Sequence, residues 1–174
     1  MKTRLFIFNL LCFILVFFVP VSLSAQMIAL STEELTKLYE NVIIGKVEKT
    51  VAQWSEDRKT IITRATIQIN NVIRGNFNKN KIIVEYLGGE IGDIGLKVSD
   101  VSSLKAGEEV LLFLTRKNLK NDSFFKIAGN AQGHYSIDKN GIARKGGFSV
   151  MGNKYTIDNN VPVNTLIDKI RKIK

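Results

Sequence analysis

Ile61, Thr63, Ala65, Ile67 and Ile69 alternate with Ile62, Arg64, Thr66, Gln68 and Asn70. A period of two with β-branched residues predicts a half-buried β-strand. The apolar register slips at Asn70-Asn71 to Val72-Ile73, which predicts a β-bulge. Arg74-Gly75-Asn76 ends the strand. A Val- and Ile-rich stretch over 42–54 predicts the strand before it, joined through the polar turn 55–59. Residues 81–87 predict a third strand, stopped by Gly88-Gly89. Val110-Leu111-Leu112-Phe113-Leu114 has no polar position. Such a run belongs to a strand covered on both faces or closing a barrel. Residues 124–128 and 135–137 predict further strands, and Asn140-Gly141 is a hairpin signal. Residues 154–157 give a short last strand. Between the third strand and the apolar run lies a long connection over 88–107, with Gly92, Gly95 and Ser102-Ser103.

Two body segments have a helical pattern instead. Ser31 stands three residues before Glu34, the spacing of a capping box. Leu35, Leu38 and Tyr39 then supply an apolar stripe, so a short helix is expected over about 32–40, packed on or plugging the sheet. Near the C-terminus Val163, Leu166, Ile167, Ile170 and Ile173 share one helical face, opposite Asp168, Lys169, Arg171, Lys172 and Lys174. This predicts an amphipathic helix with Pro162 at its start and its basic residues where the macrodipole favours them.

The first residues have another pattern. Lys2 and Arg4 precede a nearly unbroken apolar stretch over 5–21, and small residues follow to Ala25. These are the three parts of a secretory signal peptide, with cleavage expected near Ala25. An uncleaved membrane anchor is the competing reading, since the stretch is close to the shortest that spans a bilayer. The expected organisation is a signal peptide over 1–25 and one domain over 26–174.

Composition sharpens this picture. The chain has 174 residues, 25 Lys+Arg against 16 Asp+Glu, one Cys and one His. Cleavage removes Lys2, Arg4 and Cys12, taking the formal charge from +9 to +7 and leaving 149 cysteine-free residues. An exported chain without disulfides points to a bacterial envelope or secreted protein: periplasmic, on the cell surface or released. At this length a hydrophobic core suffices without staples.

Five main strands, the first two long and curved, suggest a small closed barrel. Particular phrases go further. Ile43-Ile44-Gly45-Lys46-Val47, Val72-Ile73-Arg74-Gly75 and Gly107-Glu108-Glu109-Val110-Leu111-Leu112-Phe113-Leu114 stand in that order. In them the chain resembles a group of uncharacterised exported bacterial proteins. More distantly, it resembles the netrin-like domain of tissue inhibitors of metalloproteinases. The resemblance covers about residues 33–135. It implies a mainly β fold, a five-stranded OB-type (netrin-like) barrel, here with a short N-terminal helix and an amphipathic C-terminal helix. The inhibitory activity is not implied. Those inhibitors present a mature N-terminal Cys to the protease zinc, whereas the expected N-terminus here is Gln26 and no Cys follows Cys12.

Candidate chemistry is sparse. His134 is the sole imidazole, and no Gly-x-Ser-x-Gly elbow supplies it with a nucleophile. A surface or turn position is expected for it. One His without Cys argues against a zinc site. Glu90, Asp93 and Asp100 match no calcium-loop spacing. Gly88-Gly89 opens no helix, so it is no dinucleotide fingerprint, and Gly45-Lys46 lacks the phosphate-loop pattern. Basic residues are scattered: Arg58-Lys59, Lys79 and Lys81, Arg116-Lys117, Arg144-Lys145 and the tail. They are not visibly interleaved with Trp54, Tyr86, Phe124, Phe125 or Tyr135, which disfavours nucleic acid.

The expectation is an exported, non-catalytic module that binds a protein or envelope polymer through barrel loops. No catalytic residue, cofactor or metal is assigned, and the oligomeric state stays open. The expected contacts are Gly88, Gly89, Glu90 and Asp93 in the long connection, and Trp54 and Arg58 at the first hairpin. A membrane is met only through an uncleaved signal segment. The alternatives are a protease-inhibitor-like protein by fold, a polyanion or oligonucleotide binder, and a hydrolase using His134.

Overall fold

The computed structural model describes residues 27–119, 122–146, 150–151 and 157–173. The chain runs β1 (Met27–Ile28), α1 (Thr32–Leu38), β2 (Asn41–Trp54), β3 (Ile61–Arg74), β4 (Lys81–Leu87), β5 (Gly89–Ile91) and β6 (Ile94–Leu96). It continues with β7 (Glu109–Leu119), β8 (Asp122–Ile127), a 3-10 turn (Asn130–Gly133), β9 (His134–Ile137), β10 (Ile142–Arg144), β11 (Val150–Met151), β12 (Val161–Pro162) and α2 (Val163–Lys172). The fold is mainly β, as expected. The expected signal segment lies outside the described residues, as do residues 154–156 of the expected last strand; Ile157 is a bend. Among the described residues no helix is long and apolar enough to cross a membrane.

Five strands close into a ring. β2, β3 and β4 form an antiparallel meander. β4 meets β8 in parallel at one pair, Val84 with Phe125. β8 turns back antiparallel to β7, and β7 returns antiparallel to β2. β7 forks: residues from Leu114 onward pair with β8, while Glu109 to Leu112 pair with β9. β9, β10 and β12 continue as a flap that leads into α2.

The apolar run explains this layout. Val110, Leu112 and Leu114 join Ile43, Val47, Ile67 and Val84 inside the ring. Leu111 and Phe113 point the other way, to Leu35 of α1 and to Leu166 and Ile170 of α2. Successive strand residues alternate faces, so five consecutive apolar positions require a cover on each side. All five are buried. The helices are there to supply the second cover.

Three irregularities bend the long strands. Pairing jumps at Glu48, at Asn70 and at Ile73, leaving each unpaired against the opposite strand. Asn70 lies within the predicted bulge. Bulges add local twist, which lets two 14-residue strands wrap a small core and close the ring.

α1 begins where expected. The Ser31 amide donates to Glu34 Oε2 at 2.7 Å and the Glu34 amide donates to Ser31 Oγ at 3.1 Å. The bond from the Ser31 amide, with a second from Ser31 Oγ to Glu34 Oε2 at 2.9 Å, holds the Glu34 carboxyl below its ordinary pKa. α2 is tied through its last turn. Lys169 Nζ reaches Asp158 Oδ1 at 2.7 Å and Glu33 Oε1 at 3.4 Å. Arg74 Nη1 donates to the Ile173 carbonyl at 2.6 Å, satisfying an acceptor just past the helix end.

One expectation is corrected. The connection over 88–107 is not continuous loop: it holds the hairpin β5–β6, with Ile91 opposite Ile94. Two three-residue strands are too short for periodicity to reveal. β1, β11 and β12 were also unexpected, for the same reason.

Leu111→Ala and Leu112→Ala are each expected to cost about 2–5 kcal/mol, because each leaves a cavity in a different core. Urea unfolding of both variants checks this; a large cost at one alone would contradict two separate covers.

Candidate functional site

The most irregular end of the ring is where β2 turns into β3 and β4 leaves into β5. β4 stops because Gly88 and Gly89 take φ values of 98° and 135°, which L side chains rarely adopt. The Gly88 amide donates to the Ile61 carbonyl at 2.9 Å, and Thr63 Oγ1 donates to the Gly88 carbonyl at 2.6 Å. A Cβ on Gly89 would collide with the Thr63 hydroxyl and approach Ala52 Cβ to 2.9 Å. Only glycine lets the chain cross so close to β2 and β3. The β5–β6 hairpin therefore folds over this end of the ring.

Beside the hairpin lies a cleft of about 490 Å³, lined among others by Thr63, Tyr86, Glu90, Lys97 and Ser103. The Tyr86 hydroxyl accepts from the Leu104 amide and donates to the Leu104 carbonyl, both at 3.3 Å. Burial pushes its pKa up.

Gly88, Gly89 and Glu90 line this cleft, and Asp93 sits at the exposed hairpin tip. Trp54 does not line it but is brought to the same end: it pairs with Ile61, whose carbonyl binds Gly88. Arg58 stands in the exposed turn with φ 55°. That turn is built by its own side chains. Ser55 Oγ donates to Asp57 Oδ1 at 2.6 Å, and the Thr60 amide donates to Ser55 Oγ at 3.1 Å. The first of these bonds holds the Asp57 carboxyl below its ordinary value. Trp54, Leu87 and Ile94 are 44%, 45% and 55% exposed, so this end presents large apolar side chains to solvent.

A second cleft was not anticipated. It measures about 720 Å³ and gathers Lys49, Lys79, Lys81 and Arg116 beside Phe77 and Phe125. The basic residues that look scattered along the sequence are thus partly assembled in space. They come from segments far apart in the chain, so no local motif announces them.

His134 corrects another expectation. It is 6% exposed, not a surface residue. It pairs with Leu112 across β7 and β9. Its Nε2 is buried and has no hydrogen-bond partner among the described residues. Glu108 Oε1 stands 3.8 Å away, too far for a hydrogen bond. Desolvation prevails and lowers the His134 pKa to about 4. The ring is neutral at pH 7, so the contact with Glu108 is not an ion pair there. His134 lines neither cleft.

Lys145 is another buried titratable group that the sequence did not reveal. Its Nζ donates to the Gln132 carbonyl at 2.7 Å and lies 4.6 Å from the centre of the Tyr135 ring. Burial lowers its pKa to about 8, against the pull of Asp158. Gln132 in turn accepts from the Leu30 amide at 2.7 Å and donates to the Ile28 carbonyl at 2.9 Å. This chain of contacts fastens the N-terminal segment to the flap. Among the described residues no group of three His, Cys, Asp or Glu side chains is placed to hold a metal ion.

No protein-family model matches the chain, and neither curated proteins nor solved structures yielded a match.

Stability should respond to His134. The folded group binds a proton near pH 4 and the unfolded group near 6.5. Between these values the unfolded state holds more protons, so stability falls as pH drops from 6.5 toward 4. By pH 4.5 the loss is about 2 kcal/mol. Urea titrations of wild type and His134→Gln at pH 7 and pH 4.5 check this; an equal acid response in both would refute the assignment.

Proposed function

We propose that the chain is an exported, non-catalytic binding protein on an OB-type barrel, which holds a protein partner at the end of the ring carrying Trp54. The barrel reading is supported by the strand order around the ring, β2-β3-β4-β8-β7, with a single parallel pair where β4 meets β8. It agrees with the netrin-like resemblance, which concerns fold alone. Export rests on the N-terminal pattern of basic, apolar and small residues.

One observation carries the binding assignment: Trp54, Leu87 and Ile94 are all solvent-exposed at the end where the β5–β6 hairpin flanks a cleft. Large apolar side chains left in water beside polar neighbours mark protein contact surfaces, and Trp is a frequent anchor. Arg58, Glu90 and Asp93 bring both signs of charge to this end, which suits a protein better than a polymer of one charge. The hydrolase alternative loses support, because His134 is buried and lines neither cleft.

Two measurements test this. The mass of the protein recovered outside the cytoplasm is expected to begin at Gln26; recovery of the full-length chain from the cytoplasm alone would count against export. In capture from envelope extracts, wild type is expected to retain a protein that Trp54→Ala and Ile94→Ser both lose by about tenfold or more, with unchanged melting temperature. Identical retained proteins in all three would overturn the site.

A further inference from the structure

We propose a second binding site, separate from the Trp54 end, in which the cleft between β4, β8 and the 75–80 turn takes a short acidic peptide segment in extended form.

The cleft lies on a seam in the ring. β4 and β8 are joined by the single pair Val84–Phe125. Lys81, Ile82 and Ile83 pair with Gln68, Ile67 and Thr66 of β3 on one side and have no register partner among the described residues on the other. A strand with one unpaired edge is a template for an added extended chain.

The charge around this edge fits an acidic guest. Lys81 Nζ holds Glu48 at 2.6 and 2.9 Å, which neutralises the one carboxylate lining the cleft. Arg116 donates to the Asn76 carbonyl at 3.1 Å, and its guanidinium sits 5.3 Å from the centre of the Phe125 ring. Phe125 meets Phe77 at 5.3 Å between ring centres. The floor is therefore fixed by contacts within the chain. Lys49 and Lys79 are exposed and make no hydrogen bond or ion pair among the described residues. Lys79 stands in the turn that leads into β4, and Lys49 lies on β2, across β3 from that edge; two unneutralised cations lining one cleft with the edge match a chain bearing carboxylates.

The same cleft suits a peptide better than a nucleic acid. Single-stranded nucleic acids need open aromatic faces on which bases stack. Phe125 is only 6% exposed, with Phe77 and Arg116 over it. Ile83, 36% exposed, offers a place for an apolar side chain at alternate positions of an extended peptide.

The test selects phage-displayed random decapeptides on the immobilised full-length mature chain. Enriched sequences should carry at least two acidic residues interleaved with apolar ones. A selected peptide, made synthetically, should bind wild type and bind Lys49→Glu/Lys79→Glu about tenfold or more weakly, with binding falling as salt rises from about 50 to about 200 mM. Both substituted side chains are exposed, so a matching melting temperature should accompany the loss. Trp54→Ala should bind the peptide as wild type does, which separates this site from the one at the ring end. Absence of acidic enrichment, equal affinity in the double variant, loss in Trp54→Ala, or tighter binding of oligothymidylate or a polyuronate would each overturn the proposal.

Discussion

Burial of β7 on both faces is the constraint from which the rest of the architecture follows. A strand with one wet face can sit at the surface of a sheet. Val110 to Leu114 have none, so water must be removed from both sides at once. The ring removes it from Val110, Leu112 and Leu114. α1, α2 and the β9–β10 flap remove it from Leu111 and Phe113. β2 repeats the arrangement beside it, since Ile43 and Val47 face the ring while Val42 and Ile44 face the helices. Past Glu48 the strand leaves the helical cover, and Val51 and Trp54 emerge into solvent.

This layout decides where ligands can meet the protein. The ring interior holds the side chains of Ile43, Ile67, Val84, Leu112 and Phe125 among others. A small ring filled in this way offers its ends and seams rather than a lumen. The clefts lie where regular pairing fails: beside the glycines that end β4, and at the single pair joining β4 to β8. Sheet hydrogen bonding fixes the backbone up to these points, and the turns beyond them carry the exposed side chains. The same economy of pairing that closes the ring thus creates these recesses.

Much of the fold was legible in the sequence because its signals are local. The Ser31–Glu34 capping box, the alternation along β3, the slip at Asn70 and the Asn140-Gly141 turn each act within a few residues. What was illegible depends on contacts between distant segments. The β5–β6 hairpin is two three-residue strands held over β2 and β3 by the close approach of Gly89. The residues named for binding were partly convergent: Gly88, Gly89 and Glu90 share a cleft, while Trp54 reaches that end only through the pairing of β2 with β3. The basic cleft joins Lys49, Lys79, Lys81 and Arg116 from three strands and a turn, a meeting no spacing rule encodes.

Buried titratable groups often mark active sites, so His134 and Lys145 bear on the choice between catalysis and binding. Their shifts have a different origin. Desolvation alone lowers His134, without the charged partner or oriented base that catalysis exploits. Lys145 is lowered by burial while its Nζ serves the Gln132 carbonyl and the Tyr135 ring. Neither residue lines either of the two clefts described above. A general base must reach the proton it removes. The groups with the most displaced proton affinities therefore stand away from the recesses a ligand can enter. Beside the recesses stand apolar side chains at the Trp54 end and lysines at the seam between β4 and β8.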